Sequence, residues 1–285
     1  MISGEQSGVT PFLGEGIWLC GDAHGNRRPL DRALASASVL PRAIVLVGDL
    51  DPPEPIGEWL APVTNLGIET WFIHGNHETD SDAVFLNMFH SPGSERNFNG
   101  QVIEVDGLRF AGLGGVFREE VWFPPASPNF DSYDEIHAHW LPRTPRHQRM
   151  ARPAFAALSG KPIFNERMRK HHSTIFPDVY HRLADQRADV LIVHEAPSCH
   201  PNGFEAIDLL AQAMGARWVV HGHHHDALDY RPHRQALGFE AIGVGLRGIT
   251  TLAGKVILPG ERDQQRGRLR SAICPLHALP NQGDV

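Results

Sequence analysis

Cysteine is scarce in this chain, and no two cysteines sit close enough to form a motif. Cys20, Cys199 and Cys274 lie far apart and are odd in number, which excludes a disulfide framework and a cysteine-pair metal knuckle. They read as reduced, partly buried thiols. Long apolar runs are missing too: none approaches the roughly 18 residues that a bilayer-spanning helix requires. Met1 to Gly16 show neither a basic start nor a hydrophobic stretch, so no secretory signal is expected and a cytoplasmic location is the default. Positive charge is not in excess either. With 26 basic and 33 acidic residues the formal net charge is −7, which argues against the basic surface used for broad nucleic-acid binding. A local basic patch stays open. Internal repeats and low-complexity tracts are absent.

What is present is an ordinary globular composition with one unusual number. A hydrophobic fraction of 41% over 285 residues suits one large α/β domain or two small ones. The unusual number is 18 histidines, many of them beside Gly, Asp or Asn after short apolar runs. Gly16 to Cys20 reads as a buried strand entering Gly21-Asp-Ala-His-Gly-Asn26. Leu30, Ala33, Leu34 and Ala37 then recur at helical spacing, with Pro29 near the start and Pro41 as the stop. Ala43 to Val47 is a β-branched run that ends in Gly48-Asp-Leu-Asp51. Thr70 to Ile73 ends in His74-Gly-Asn-His-Glu78.

A β-hairpin is predicted from Gln101–Val105 and Leu108–Gly112, joined by the tight-turn pair Asp106-Gly107. Residues 117–177, rich in proline and charge with weak periodicity, read as an insertion. Alternating α/β order resumes with a helix over Asp178–Ala188 and the strand Val190–Val193, which runs into His194. A helix carrying Ile207, Leu210, Ala211 and Met214, with Gly215 as its stop, leads to the strand Arg217–Val220 and then His221-Gly-His-His-His225. Two further β-like pieces, Glu240–Val244 and Gly248–Leu252, close a domain spanning 16–260. An irregular tail is expected over 261–285.

Five strand ends thus deliver Asp22 and His24, Asp49, Asn76 and His77, His194, and His223 and His225. Ligand sites in α/β sheets gather where such loops cluster. The donors are imidazole, carboxylate and amide without thiolate, a set suited to Mn, Fe, Zn, Co or Ni rather than to a soft metal. Setting His77 aside, seven donors are too many for one tetrahedral site and fit two divalent ions that share a bridging carboxylate. Each fragment alone is an ordinary turn; the ordered combination is not.

The series Gly21-Asp22-x-His24-Gly25, Gly48-Asp49, Gly75-Asn76-His77-Glu78, Val193-His194 and Gly222-His223-x-His225 resembles the calcineurin-like metallophosphoesterase superfamily. All five blocks occur in order across residues 22–225. The resemblance implies a four-layer α/β/β/α sandwich, with two mixed β-sheets flanked by helices. It further implies that Asp22, His24 and His225 hold one metal, that Asn76, His194 and His223 hold the other, and that Asp49 bridges them. His77 stands free of the metals as general acid, and a metal-bridging hydroxide attacks a phosphomonoester or phosphodiester directly, without a phosphoenzyme. Manganese is the first metal to supply in vitro. Glu78 is read as a group orienting His77 or a ligand, or else as a helix-start carboxylate. His74, His221 and His224 are read as structural groups or supports behind the ligands, and Asp51 and Asp226 as turn or surface groups with a supporting role behind the ligands left open. His200 in Ser198-Cys-His-Pro is a candidate substrate contact.

The partner expected is an anionic phosphoester, with nucleotides and nucleic acid among the candidates. Between Pro142 and His172 lie eight basic residues (Arg143, Arg146, Arg149, Arg152, Lys161, Arg167, Arg169 and Lys170) against the single acid Glu166. They read as a cap over an anionic substrate or as a solvated surface. Two other readings stay open: a nuclease or RNA-processing phosphodiesterase that grips the backbone with this segment, and a non-catalytic scaffold of the same fold. The Gly75-Asn-His-Glu78 block and the hairpin exit Gly112-Leu-Gly-Gly-Val-Phe117 are together similar to RNA lariat debranching enzymes. Asp49 is followed by Leu50-Asp51-Pro52-Pro53, without the Asp-Arg-Gly extension of Ser/Thr protein phosphatases.

Overall fold

The computed structural model describes residues 14–140 and 166–263. Arg143, Arg146, Arg149, Arg152, Lys161, Cys274 and nearly all of the expected tail lie outside the described residues.

Two five-stranded sheets form the centre of the molecule. In the first, β1 (Ile17–Cys20), β2 (Ala43–Leu46) and β3 (Glu69–Phe72) run parallel, while β9 (Ile249–Thr250) and β10 (Val256–Leu258) continue the sheet antiparallel beyond β1. In the second, the hairpin of β4 (Val102–Val105) and β5 (Leu108–Leu113) is followed by parallel strands β6 (Val190–Val193), β7 (Trp218–His221) and β8 (Glu240–Gly243). Both sheets are therefore mixed. The hairpin turn is the predicted one, with Asp106 and Gly107 both at positive φ (51° and 76°), as a two-residue turn matched to strand twist requires.

Alternation along each strand builds the layers. Ile17, Leu19, Ala43 and Val45 of the first sheet face Phe110, Val190, Ile192 and Val220 of the second in one shared core. Their neighbours Trp18, Cys20, Ile44 and Leu46 point outward to α1 (Arg28–Ser36) and α2 (Ile56–Thr64). On the other side, Leu191, Val193 and Val219 pack beneath helices over Pro177–Ala184 and Glu205–Met214. The result is a four-layer sandwich. Each fully buried aliphatic side chain contributes about 1.5–3 kcal/mol relative to exposure, so the central strands, buried along their whole length, form a rigid platform for the loops at their ends. Cys20, in β1, and Cys199, in the loop after β6, are both buried. No helix among the described residues is long and apolar enough to cross a membrane.

Several elements differ from the sequence expectation. The helix expected over Asp178–Ala188 is shorter, Pro177–Ala184, because Asp185 to Ala188 turn the chain back toward β6. α2 and α3 (Asp82–Phe89) are additions to the sequence expectation: α2 contains Pro62, and α3 begins from a Ser81 cap whose hydroxyl accepts the Val84 N–H. The described part of the insertion, residues 117–140 and 166–177, is more ordered than its weak periodicity suggests. Within it α4 (Tyr133–Trp140) and α5 (Glu166–His171) enclose a small core of Val121, Ile136, Met168 and Phe176. The two helices that follow are α6 (Pro177–Ala184) and α7 (Glu205–Met214).

Candidate metal centre

All the loops that carry the expected donors leave the same end of the two sheets. The backbone there departs from ordinary geometry: His24, Asp49, Asp51, His223 and His225 have φ of 43°, 49°, 47°, 67° and 59°. For residues with a Cβ this region is disfavoured by about 1 kcal/mol or more each, and such strain gathers where side chains must be aimed. Two glycines let the donors approach. A Cβ on Gly75 would lie 2.1 Å from Asp49 Oδ1, and one on Gly222 would lie 2.3 Å from Asp22 Oδ1, both inside contact distance. The glycines of the two motifs are thus required by the carboxylates that press against them.

Asp22, His24, Asp49 and His225 present ligand atoms within 4.8 Å of one another, and so do Asp49, His194 and His223. Asp49 belongs to both groups. Its Oδ1 accepts the backbone N–H groups of Asn76 (2.8 Å) and His77 (3.0 Å), which leaves Oδ2 facing His194 Nε2 at 3.3 Å and His24 Nε2 at 4.0 Å. Asn76 Oδ1 lies 3.3 Å from the same His194 nitrogen. His225 Nε2 lies 3.2 Å from Asp22 Oδ2 and 3.0 Å from His24 Nε2. All seven donors named from sequence therefore converge. His77 stands beside them, its ring 5.0 Å from that of His24.

Proton placement tests whether this set suits cations. His194 Nδ1 is 2.9 Å from the Val47 carbonyl oxygen; a carbonyl only accepts, so the ring proton sits on Nδ1 and Nε2 offers a lone pair. That lone pair meets those of Asp49 Oδ2 and Asn76 Oδ1 in a buried space, where only a proton or a metal cation relieves the repulsion. The pull on a proton is visible. Burial drives the His194 pKa down, yet Asp49 overrides it and holds it up to about 10. For Asp49 itself burial acts upward, but His194 and the N–H of His77 outweigh it and hold the carboxyl far below the usual range. His24 repeats the logic: Nδ1 lies 2.8 Å from Asp51 Oδ2, which raises its pKa and directs Nε2 to the centre. His225 differs. Arg262 donates to its Nδ1 at 3.0 Å, so a cation at Nε2 requires the proton to move to Nδ1 and Arg262 to turn away. The mixed N and O donor set fits divalent first-row metals.

Four residues play parts that sequence reasoning misses or places differently. Asp51, expected at a turn or on the surface with a supporting role left open, takes the supporting role and orients His24, as carboxylates behind ligand imidazoles do. Asp80, absent from the sequence expectations, lies 2.6 Å from His77 Nδ1; its spacing, one turn after His77, is the available signal. Glu78 orients neither His77 nor a ligand side chain. Fully buried, it accepts the N–H groups of Leu50 and of Gly75, the latter at 2.8 Å, and so ties the β2 loop to the β3 loop; burial, then the charge of Asp49, raises its pKa. Asp226, also expected at the surface, is buried at 5% exposure, 3.6 Å from His200. His74, His221 and His224 take no part in either donor group. His200, considered as a substrate contact, is buried against His224, ring on ring at 3.9 Å.

The insertion meets the centre in an unexpected way. Arg169, expected on a cap facing substrate, is buried and donates to the Thr79 and Asp80 carbonyls. Arg167 pairs with Glu120 and lies over the Trp140 ring.

The family model for calcineurin-like phosphoesterases matches residues 16–227. An uncharacterized protein of Haemophilus influenzae is 36% identical over 198 residues, which cover 70% of this chain and 79% of that protein. Among solved structures, TT1561 of Thermus thermophilus aligns with a TM-score of 0.47 at 13% identity, over 84% of this chain and 96% of its own. A 5'-nucleotidase precursor from the same organism aligns with a TM-score of 0.36 at 13% identity, over 85% and 50% respectively.

Proposed function

This chain belongs to the calcineurin-like phosphoesterase family, and from that premise we propose that it hydrolyses a phosphomonoester or phosphodiester at a centre of two divalent cations. Asp22, His24 and His225 would hold one cation and Asn76, His194 and His223 the other, with Asp49 common to both sets. The observation that carries this reading is the shared position of Asp49, whose Oδ2 faces His194 on one side and His24 on the other. Cations bound there would supply acidification of a water and neutralisation of phosphoryl charge.

The protein's own groups do the rest. Val47 and Asp51 fix the protons of His194 and His24 on Nδ1, so that each Nε2 aims inward. His77, half exposed beside the donors, protonates the departing alkoxide. Asp80 accepts its Nδ1–H, which leaves Nε2 as the nitrogen that exchanges a proton. No Ser or Cys nucleophile enters. Manganese is the first ion to supply.

The test is a panel of aryl phosphate mono- and diesters with the full chain, after chelation and after return of Mn, Zn, Fe, Co or Ni. Turnover is expected to vanish on chelation and to return with at least one of these ions. Turnover that survives thorough chelation would overturn the proposal.

A further inference from the structure

The turn that carries the proposed acid is short. After Asn76 it makes a single 3₁₀ turn over His77–Thr79 before Asp80 and α3, and its own closing bond is the Asp80 N–H to the His77 carbonyl at 3.0 Å. The carbonyls of Thr79 and Asp80 point out of the turn and need donors. They receive them from a residue ninety positions away, in the insertion. Arg169 on α5 donates through Nε to the Thr79 carbonyl (2.8 Å) and through Nη2 to the Asp80 carbonyl (3.0 Å), and its Nη1 pairs with the Asp82 carboxylate. Only 7% of the residue is exposed. Ser173, at the end of the same segment, adds a second hold: its hydroxyl is 2.8 Å from that of Thr79, which in turn donates to the Asn76 carbonyl at 3.1 Å.

A planar guanidinium fork on two carbonyls and a carboxylate fixes direction as well as distance. Buried and charged, it is a costly way to hold an ordinary surface turn. What it holds directly is the backbone of Thr79 and Asp80, just after His77, while His24 and His194 have separate supports in Asp51 and the Val47 carbonyl.

We propose that Arg169 is the positioning residue for leaving-group protonation: the insertion, through this one side chain, locks the turn that aims His77 and keeps Asp80 behind it. The inference rests on the reading of His77 as general acid. It assigns the C-terminal end of the insertion a part in the rate of the reaction and not in substrate binding.

The experiment uses the metal-loaded full chain with an alkyl phosphate, whose leaving group needs a proton, and a nitrophenyl phosphate, whose leaving group does not. The variants are Arg169→Met, Arg169→Lys, His77→Ala and the double variant His77→Ala/Arg169→Met. Arg169→Met should lower kcat on the alkyl ester about 10- to 100-fold, the order that a misplacement near 1 Å costs. It should leave kcat on the nitrophenyl ester within about threefold, and KM for both little changed, because no proton is owed there. Arg169→Lys, a point charge without the fork, should fall between. In the His77→Ala background, adding Arg169→Met should cost the alkyl ester no more than about twofold, since residues that act through one another are non-additive. Equal losses on both esters, or losses that multiply in the double variant, would show a merely structural role and overturn the inference. Should Arg169→Met not fold, Arg169→Lys and Asp82→Asn, each of which removes part of the fork, carry the same comparison. A His77→Ala enzyme that treats both esters alike overturns the acid reading and this inference with it. Discrimination by His77→Ala without discrimination by the Arg169 variants overturns this inference alone.

Discussion

Within five residues at the end of β7, histidines face two different surroundings. His223 and His225 turn toward Asp49, Asp22, His24 and His194, where carboxylate oxygens and imidazole nitrogens converge. His221 and His224 turn the other way. His221 lies 3.0 Å from the Tyr230 hydroxyl, and His224 stacks on His200 with the rings 12° from parallel. The electrostatics divide accordingly. Beside carboxylates, His194 and His24 are pulled toward the charged form, whereas burial pushes His221 down to about 4. His223 is the instructive intermediate. It sits in the carboxylate group, yet burial, the largest cause, pushes it down to about 4, toward the neutral ring that a metal ligand needs. Histidine content alone therefore says nothing of role; the neighbours assign it.

The comparison can be broken first at Asp49. Asp49→Asn keeps an oxygen for the Asn76 and His77 N–H groups but removes the negative charge shared by both donor groups. Turnover should fall by at least about 10²- to 10³-fold, the cost of losing one preorganised electrostatic stabiliser, and metal content by atomic absorption should fall with it. A variant that keeps two ions and near-normal turnover would end the bridging assignment.

The buried neutral imidazoles sharpen the comparison through stability. Burial holds His74 down to about 3 and His221 to about 4, from 6.5. Because the folded pKa of each is depressed, the unfolded chain binds more protons between these values and 6.5. Each group's contribution is thus complete above about pH 6.5 and is lost as pH falls through the window, at up to about 1.4 kcal/mol per pH unit per group. Melting temperature should drop on acidification below about pH 6.5, and His221→Gln, which cannot titrate, should flatten that slope. An unchanged slope would mean that His221 is not buried neutral. The smallest effect is expected at His200→Phe, which keeps a ring against His224. It loses the hydrogen bond from Asn202, about 1 kcal/mol, together with the contact to buried Asp226, and turnover should stay within about twofold because the ring touches neither donor group. A loss of metal from this variant would erase the division between the two histidine sets.

How much is legible in the sequence depends on how local the signal is. The parallel strands, the Asp106-Gly107 turn and the Gly215 helix stop are readable because their residue types act on their own backbone. α2 is not, since Pro62 lies inside it, and the order of the insertion is hidden because its small core pairs α4 with α5 across a long gap. Asp51, Asp80 and Glu78 sit in plain view beside the motifs, yet their partners depend on which loop lies opposite. Arg169 looks like one of several surface cations, and only its burial sets it apart.

Chain chemistry by itself determined which donors exist: imidazole, carboxylate and amide groups, without thiolate, each placed at the end of a strand by a short apolar run and a glycine turn. These are properties of single residues and near neighbours, and they survive without knowledge of the fold. The tertiary structure alone decided which donor faces which. His24 and His225 meet across 201 positions, and His194 meets Val47 across 147, through the order of strands in two sheets and the packing between them. Distance, burial and charge are collective quantities of the folded chain, and so the proton positions, the loop tie of Glu78 and the hold of Arg169 on the His77 turn exist only in the folded molecule.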